Sequence, residues 1–340
     1  MPNILELFNQ KEVLNYLSNR EFPTLLGESL FPEVKRQSLE FDIIKGAGKT
    51  PVIANAHAFD TEAEIGSREA SKQAMELALI KRKIQLNEKD IIALENPRNA
   101  TEQQYLMQNV FNDIDTLVAG VKARAEAMRM EALANGTVTL KGNGLNLTVD
   151  YGVPDENKEA LSGTSLWTDA TSKPLDDLER WADQLDGNAT RAITSKSVLN
   201  ALLQHQSIIE ALYGKGSQRM ATRQELNAFL QQRDLPVIGV YDRKYRAQNA
   251  DGSYTSNRYF SNNKFVMFGD GNLGETIYGP TAEEIRLTRD PSIETSKVGN
   301  VLAMVYEENL DPVSTWTKAV ATALPSFPVA DEVFQAQPIA

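Results

Sequence analysis

Along residues 101–134, TEQQYLMQNVFNDIDTLVAGVKARAEAMRMEALA, apolar side chains recur every three or four positions, at Leu106, Val110, Ile114, Leu117, Val121 and Met128. That spacing lays one stripe along a helix of 3.6 residues per turn. Asn99 supplies an N-cap, Glu102 suits the positive helix N-terminus, and Asn135-Gly136 supplies a left-handed stop. At about 1.5 Å per residue the helix would run roughly 50 Å, comparable to the diameter of a compact globule of this chain length. One helix of that length with a single apolar stripe predicts a beam laid across a plate. Gly120 interrupts good helix formers at a cost of about 1 kcal/mol relative to alanine, which predicts either a closely packed neighbour or a bend point there.

The period changes elsewhere. Residues 39–45 and 75–86, within SLEFDIIK and MELALIKRKIQL, alternate as half-exposed strands do. About thirty residues rich in Gly, Ala, Thr and charge separate them, far more than a hairpin turn needs, and predict a long protruding two-stranded arm. Residues 1–40 read as an N-terminal arm. It holds a short helix about Lys11–Asn19, then Phe22-Pro23 and Phe31-Pro32, and apolar Phe22, Leu25, Leu26, Leu30 and Phe31 are expected to bury against something else. After the long helix, TVTLKGNGLNLTVDYG reads as a hairpin turning at Lys141–Gly144, and a loop from Pro154 to Lys173 carries Trp167.

A mixed α/β pattern follows. It comprises helix 174–186 opened by Pro174, strand 191–194, helices near 195–213 and 222–232, and strand 237–241. A hairpin turning at Asp251-Gly252 and a strand at 264–268 complete it. NVLAMVYEE and TWTKAVATAL then alternate again, ending at Pro325 and Pro328.

The 340 residues exceed what one hydrophobic core usually supports, so two subdomains or an elongated form are expected. The absence of cysteine rules out disulfides, thiolate metal sites and cysteine nucleophiles. The N-terminus has neither a basic n-region nor an apolar h-region, and no run of eighteen apolar residues exists, so neither a signal peptide nor a membrane span is expected. A net charge of −11 argues against gripping phosphate backbones.

Candidate chemical motifs read as structural. GAGKT at 46–50 resembles the end of a phosphate-binding loop. It has Ile43 where the first glycine belongs, and Pro51-Val52-Ile53 where a helix should start. Gly269, Gly271 and Gly274 form G-x-G-x-x-G, but ETIYGP after it favours a strand over the helix a dinucleotide needs. His57 and His205 stand alone, so His57 is expected in solvent and His205 in a structural role. Asp113 and Asp115 fall on different helix faces, and Asp60, Glu62 and Glu64 read as a charged, solubilising tip. Lys45 and Lys49 read as ordinary exposed lysines and not isopeptide partners. No catalytic, cofactor-binding or metal residue is assigned, no cofactor is expected, and the chain is not expected to be an enzyme.

The order of elements, with FPTLLGESLFPEVKRQSLEFDIIKG at 22–46, the helix at 101–134, GTSLWTDATSKPLDDLERWA at 163–182, FVMFGDGNLGETIYGP at 265–280 and ALPSFPVADEVFQAQ at 323–337, resembles the major capsid proteins of tailed bacteriophages. The resemblance is to the Hong-Kong-ninety-seven type fold and its phage lambda E-type branch. It implies an α+β fold divided into an N-terminal arm (1–40), an extended two-stranded loop (41–90), a peripheral domain with the spine helix and a β-sheet (91–154), a mixed α/β axial domain (155–290), and peripheral return strands with the C-terminus (291–340). It also implies a head protein that self-assembles as hexamers and pentamers into an icosahedral shell around double-stranded DNA, in the bacterial cytoplasm. The partners it implies are a separate scaffolding protein and a portal, with reinforcement left to a decoration protein or to nothing, and with DNA enclosed but not read and no membrane. An encapsulin-like compartment shell is the alternative within this class. A soluble α/β enzyme using carboxylates is the alternative outside it.

Overall fold

The computed structural model describes residues 8–45, 71–142, 144–249, 251–287, 299–308 and 313–340. GAGKT, His57, the acidic run at Asp60–Glu64 and Lys49 lie outside them. In chain order the first elements are α1 (Gln10–Ser18), α2 (Leu26–Leu30), β1 (Glu33–Lys35), β2 (Glu40–Lys45), β3 (Ser71–Glu76), β4 (Ala78–Leu86), α3 (Glu88–Glu95) and the long α4 (Ala100–Asn135). The hairpin β5 (Thr137–Gly142) and β6 (Leu145–Asp150) follows, then β7 (Lys158–Ala160), α5 (Pro174–Gln184), β8 (Arg191–Thr194), α6 (Lys196–Gln204), α7 (Gln206–Tyr213), α8 (Arg223–Gln231) and β9 (Val237–Val240). The chain closes with β10 (Lys244–Gln248), β11 (Tyr254–Arg258), β12 (Phe265–Phe268), β13 (Glu275–Gly279), α9 (Ala282–Leu287), β14 (Leu302–Glu308), β15 (Ser314–Ser326) and β16 (Val333–Gln337).

The local signals set the ends as expected. Asn99 Oδ1 accepts the Glu102 N–H at 2.8 Å and the Glu102 carboxylate accepts the Arg98 N–H at 2.8 Å, satisfying two donors at the α4 N-terminus. At the other end Gly136 takes φ +68° and donates to the Ala132 carbonyl. Gln335 donates to the Leu133 carbonyl at 2.8 Å, a cap from 202 residues away that no local pattern announces. At 36 residues, α4 runs about 54 Å.

The chain divides into two compact units. The first holds residues 1–41, 76–128 and 275–326, and the second 42–75, 129–274 and 327–340.

The first unit is organised by β15. Its register runs antiparallel to β4 from Thr315↔Leu86 to Ala323↔Ala78. On its other side β14 and then β13 pair with it in succession, and β1 adds in parallel to β13. The pattern expected to make one strand from 75 to 86 therefore serves two partners. Residues 71–76 pair with β2, while 78–86 belong to this sheet. Leu77 marks the break. It is buried, its N–H bonds the Leu39 carbonyl, and its side chain presses on Gly279, where a Cβ would collide with it. Leu30 and Phe31, expected to find cover elsewhere, are buried within this unit, and Phe22, Leu25 and Leu26 are half-buried. Helix α1 packs on β14, with Leu14 against Leu302 and Val320. On α4, Phe111 meets Phe8 and Tyr16 at 5.4 and 4.5 Å between ring centres.

The single stripe of α4 holds only along its first part. Val110, Ile114, Leu117 and Val121 are buried and Leu106 is half-buried, but from Ala125 onward burial reaches nearly all faces and includes Glu126 and Arg129.

The second unit contains a five-stranded sheet in the order β7-β16-β12-β8-β9. β12 is antiparallel to both neighbours, β8 is parallel to β9, and β16 is parallel to β7. β12, FVMF, is buried at every position, as a strand covered on both faces should be. Residues 327–340 supply β16 here, and 275–279 form β13 of the first unit. The β-formers of ETIYGP announce β13, whereas no pattern separates β16 from a loop.

Candidate assembly surfaces

The aromatic core of the second unit shows what its polar residues are for. Trp167 stacks on Trp181 and Trp181 on Phe334, both with 5.5 Å between centroids, and Phe265 meets Trp167 edge-on. Each buried indole N–H needs an acceptor. Trp167 donates to Asp177 at 3.0 Å and Trp181 to Glu159, while Arg180 bridges the same two carboxylates at 2.8 and 2.7 Å.

The residues that could have carried chemistry are similarly committed. His205 Nε2 donates to the Asp169 carbonyl at 3.0 Å and Nδ1 accepts the Ser207 N–H, so the imidazole is the cap that splits one expected helix into α6 and α7. Arg191 fills the Gly269–Gly274 loop, donating to the carbonyls of Gly269 at 2.9 Å and Gly271 at 2.6 Å, and a strand follows the loop. Asp113 and Asp115 do not pair. Asp115 accepts the Tyr16 hydroxyl at 2.9 Å and faces Arg20 at 3.0 Å, whereas burial and the nearby charge of Asp90 push the Asp113 carboxyl up. Among the described residues no three His, Cys, Asp or Glu side chains converge as a metal ion would need, and no helix is long and apolar enough to cross a membrane.

Among the described residues three ladders of only two strands are left over: β2–β3, β5–β6 and β10–β11. An isolated pair of strands is marginal in water, and its outer edges present unsatisfied N–H and C=O groups. Gly144 at φ +81° and Gly252 at φ +82° turn the second and third of these ladders. In the large sheet of the first unit, edge strand β4 exposes Lys81, Arg82 and Lys83, the type of charge that blunts an edge against unwanted pairing. In the second unit an open groove of about 650 Å³ is lined by Glu156, Asp186, Asp270, Asp331 and Glu332, with Arg191 beside it at 3.8 Å from Asp270.

The fold is the Hong-Kong-ninety-seven type found in capsid proteins. A protein assigned as a prophage capsid protein of Escherichia coli CFT073 superposes with a TM-score of 0.66 at 16% identity, covering 98% of this chain and 99% of that one. A phage-related protein of Bordetella bronchiseptica RB50 follows, with a TM-score of 0.54 at 13% identity and 96% of each chain covered. No curated protein sequence matches the chain. Residues 9–337 match the family described as phage major capsid protein E, and the chain belongs to that family. It is a structural protein of the virion, the major capsid protein that forms the head shell of a tailed phage, and not an enzyme.

Proposed function

We propose that the chain assembles as hexamers and pentamers of itself, with the first unit in the peripheral role and the sheet of the second in the axial role. The segment that leaves β2 and returns at β3 overlaps a neighbouring copy. The observation that carries this reading is the β2–β3 ladder, which pairs with no third strand among the described residues. A neighbour in a lattice supplies the missing ladder. Assembly takes place in the bacterial cytoplasm with a separate scaffolding protein and a portal. The interior encloses double-stranded DNA without reading it, since a chain of net charge −11 repels phosphate. Deletion of Pro51–Gly66 tests the overlap: circular dichroism should report a folded subunit that forms no closed shells in negative stain. Normal shells from the deleted chain would overturn it.

A further inference from the structure

The second unit carries two surfaces of opposite character at opposite ends of one sheet. The acidic groove lies where Asn157 leads into β7, Asp331 and Glu332 into β16, and Thr190 into β8, and where β12 runs out into Gly269–Leu273. Because β7, β16, β8 and β9 run the same way and β12 runs against them, all these positions fall at one end of the sheet. The hairpin β10–β11 springs from the other end. Its outgoing foot, Tyr241 after β9, donates to the Thr194 carbonyl at 3.0 Å at the close of β8. Its return passes through Lys264, whose carbonyl accepts the Thr194 hydroxyl at 2.8 Å. Four-residue strands hold the two ends about 13 Å apart.

The hairpin is basic in an acidic chain. Residues 242–259 hold Arg243, Lys244, Arg246 and Arg258 against Asp242 and Asp251. Arg258 pairs with Asp242 and the Asp251 carboxylate accepts from the Ser253 N–H at 2.9 Å and the Ser253 hydroxyl at 2.6 Å, and four cations against two carboxylates leave the hairpin net positive. Arg246 lies over the half-exposed Tyr254 ring at 4.3 Å, and Tyr245 packs on Tyr259 at 5.0 Å, which stiffens the ladder without burying it. Neither strand pairs with any other strand among the described residues.

We infer that the β10–β11 hairpin of one copy docks in the acidic groove of the next. A surface that complements a different surface of the same molecule makes head-to-tail contacts, and these close into rings when the rotation allows. Charge of opposite sign at the two faces steers and registers that contact, and like charges oppose the wrong one. This inference rests on the shell-forming reading and adds to it which side chains select the neighbour around a ring.

The test uses the full chain, expressed with the products of the neighbouring head genes, and reads shell and ring yield by sedimentation and negative stain. Circular dichroism verifies folding, since all the substituted side chains reach solvent. Lys244→Glu with Arg246→Glu should lower the yield at least about tenfold, as should Glu156→Lys with Glu332→Lys. The chain carrying all four should recover. Because the protein has no cysteine, Arg246→Cys with Glu156→Cys should give an oxidised ladder of crosslinked multiples, which neither single variant gives. Assembly of the reversed chains at wild-type yield, or failure of the fourfold chain to recover, overturns the docking and leaves the shell reading standing. Wild-type chain that forms no rings or shells removes the shell reading and this inference with it.

Discussion

The sheets of the two units solve the same problem with different materials. In the second unit a short sheet of mixed parallel and antiparallel pairs is built around stacked aromatic rings, with β12 buried at every position and the indole N–H groups satisfied by carboxylates that Arg180 bridges. In the first, one thirteen-residue strand of mostly small and aliphatic residues organises four others. Its tight points are backbone contacts such as Leu77 on Gly279 and polar ties such as Asp115 to Tyr16 and Arg20. The second design concentrates stability in a few large side chains, and the first spreads it along a long register. A subunit of a head shell has use for both a rigid centre and a continuous sheet.

Truncating the aromatic core should have the largest effect. Trp181→Ala removes a fully buried ring that touches Trp167, Phe265 and Phe334, and should cost about 3–5 kcal/mol in chemical denaturation. A loss below about 1 kcal/mol would dissolve the contrast between the two designs. In the first unit Gly279→Ala should cost about 1–3 kcal/mol, because the new methyl meets Leu77 as well as the Ser38 carbonyl and Thr322 hydroxyl oxygens, both 3.1 Å away. The double variant with Leu77→Ala should cost less than the sum of the two single changes if the contact is the cause.

Gly120→Ala should go the other way. A Cβ there meets nothing within 4 Å among the described residues, so close packing inside the subunit does not explain the glycine, and alanine should raise stability by about 1 kcal/mol. Impaired assembly of that more stable subunit would assign the glycine to bending of the spine helix, and normal shells would withdraw that role.

The smallest effect concerns Asp113, whose carboxyl is raised by burial and by Asp90. A carboxyl whose folded pKa lies above its unfolded value costs stability while ionised, and the cost disappears as pH falls through the folded pKa. Asp113→Asn should therefore raise the melting temperature at pH 7, by a free energy of a few tenths of a kcal/mol, with the gain absent below about pH 4. An equal gain at both pH values would point to packing instead.

Much of the molecule was written locally. The α4 helix, its Asn99 cap and Gly136 stop, the hairpins turning at Gly144 and Gly252, and Pro174 opening α5 all follow from periods and end signals that act within a few residues. The committed roles of His205 and of the glycine loop were legible too, because metal and nucleotide sites need companions at fixed spacing, and the chain lacks them. Tertiary structure alone decided the rest. Three- and five-residue strands such as β1, β7 and β16 bury too little by themselves to leave a period, so only their partners β13, β16 and β12 make them strands. The break at Leu77 depends on Gly279, two hundred residues away, and the all-round burial of α4 after Ala125 depends on what surrounds its last turns. Alternation along 75–86 fixed that those residues were strand. Which strand they would lie beside is a long-range contact, and the pairing energy that settles it appears only when the chain is folded.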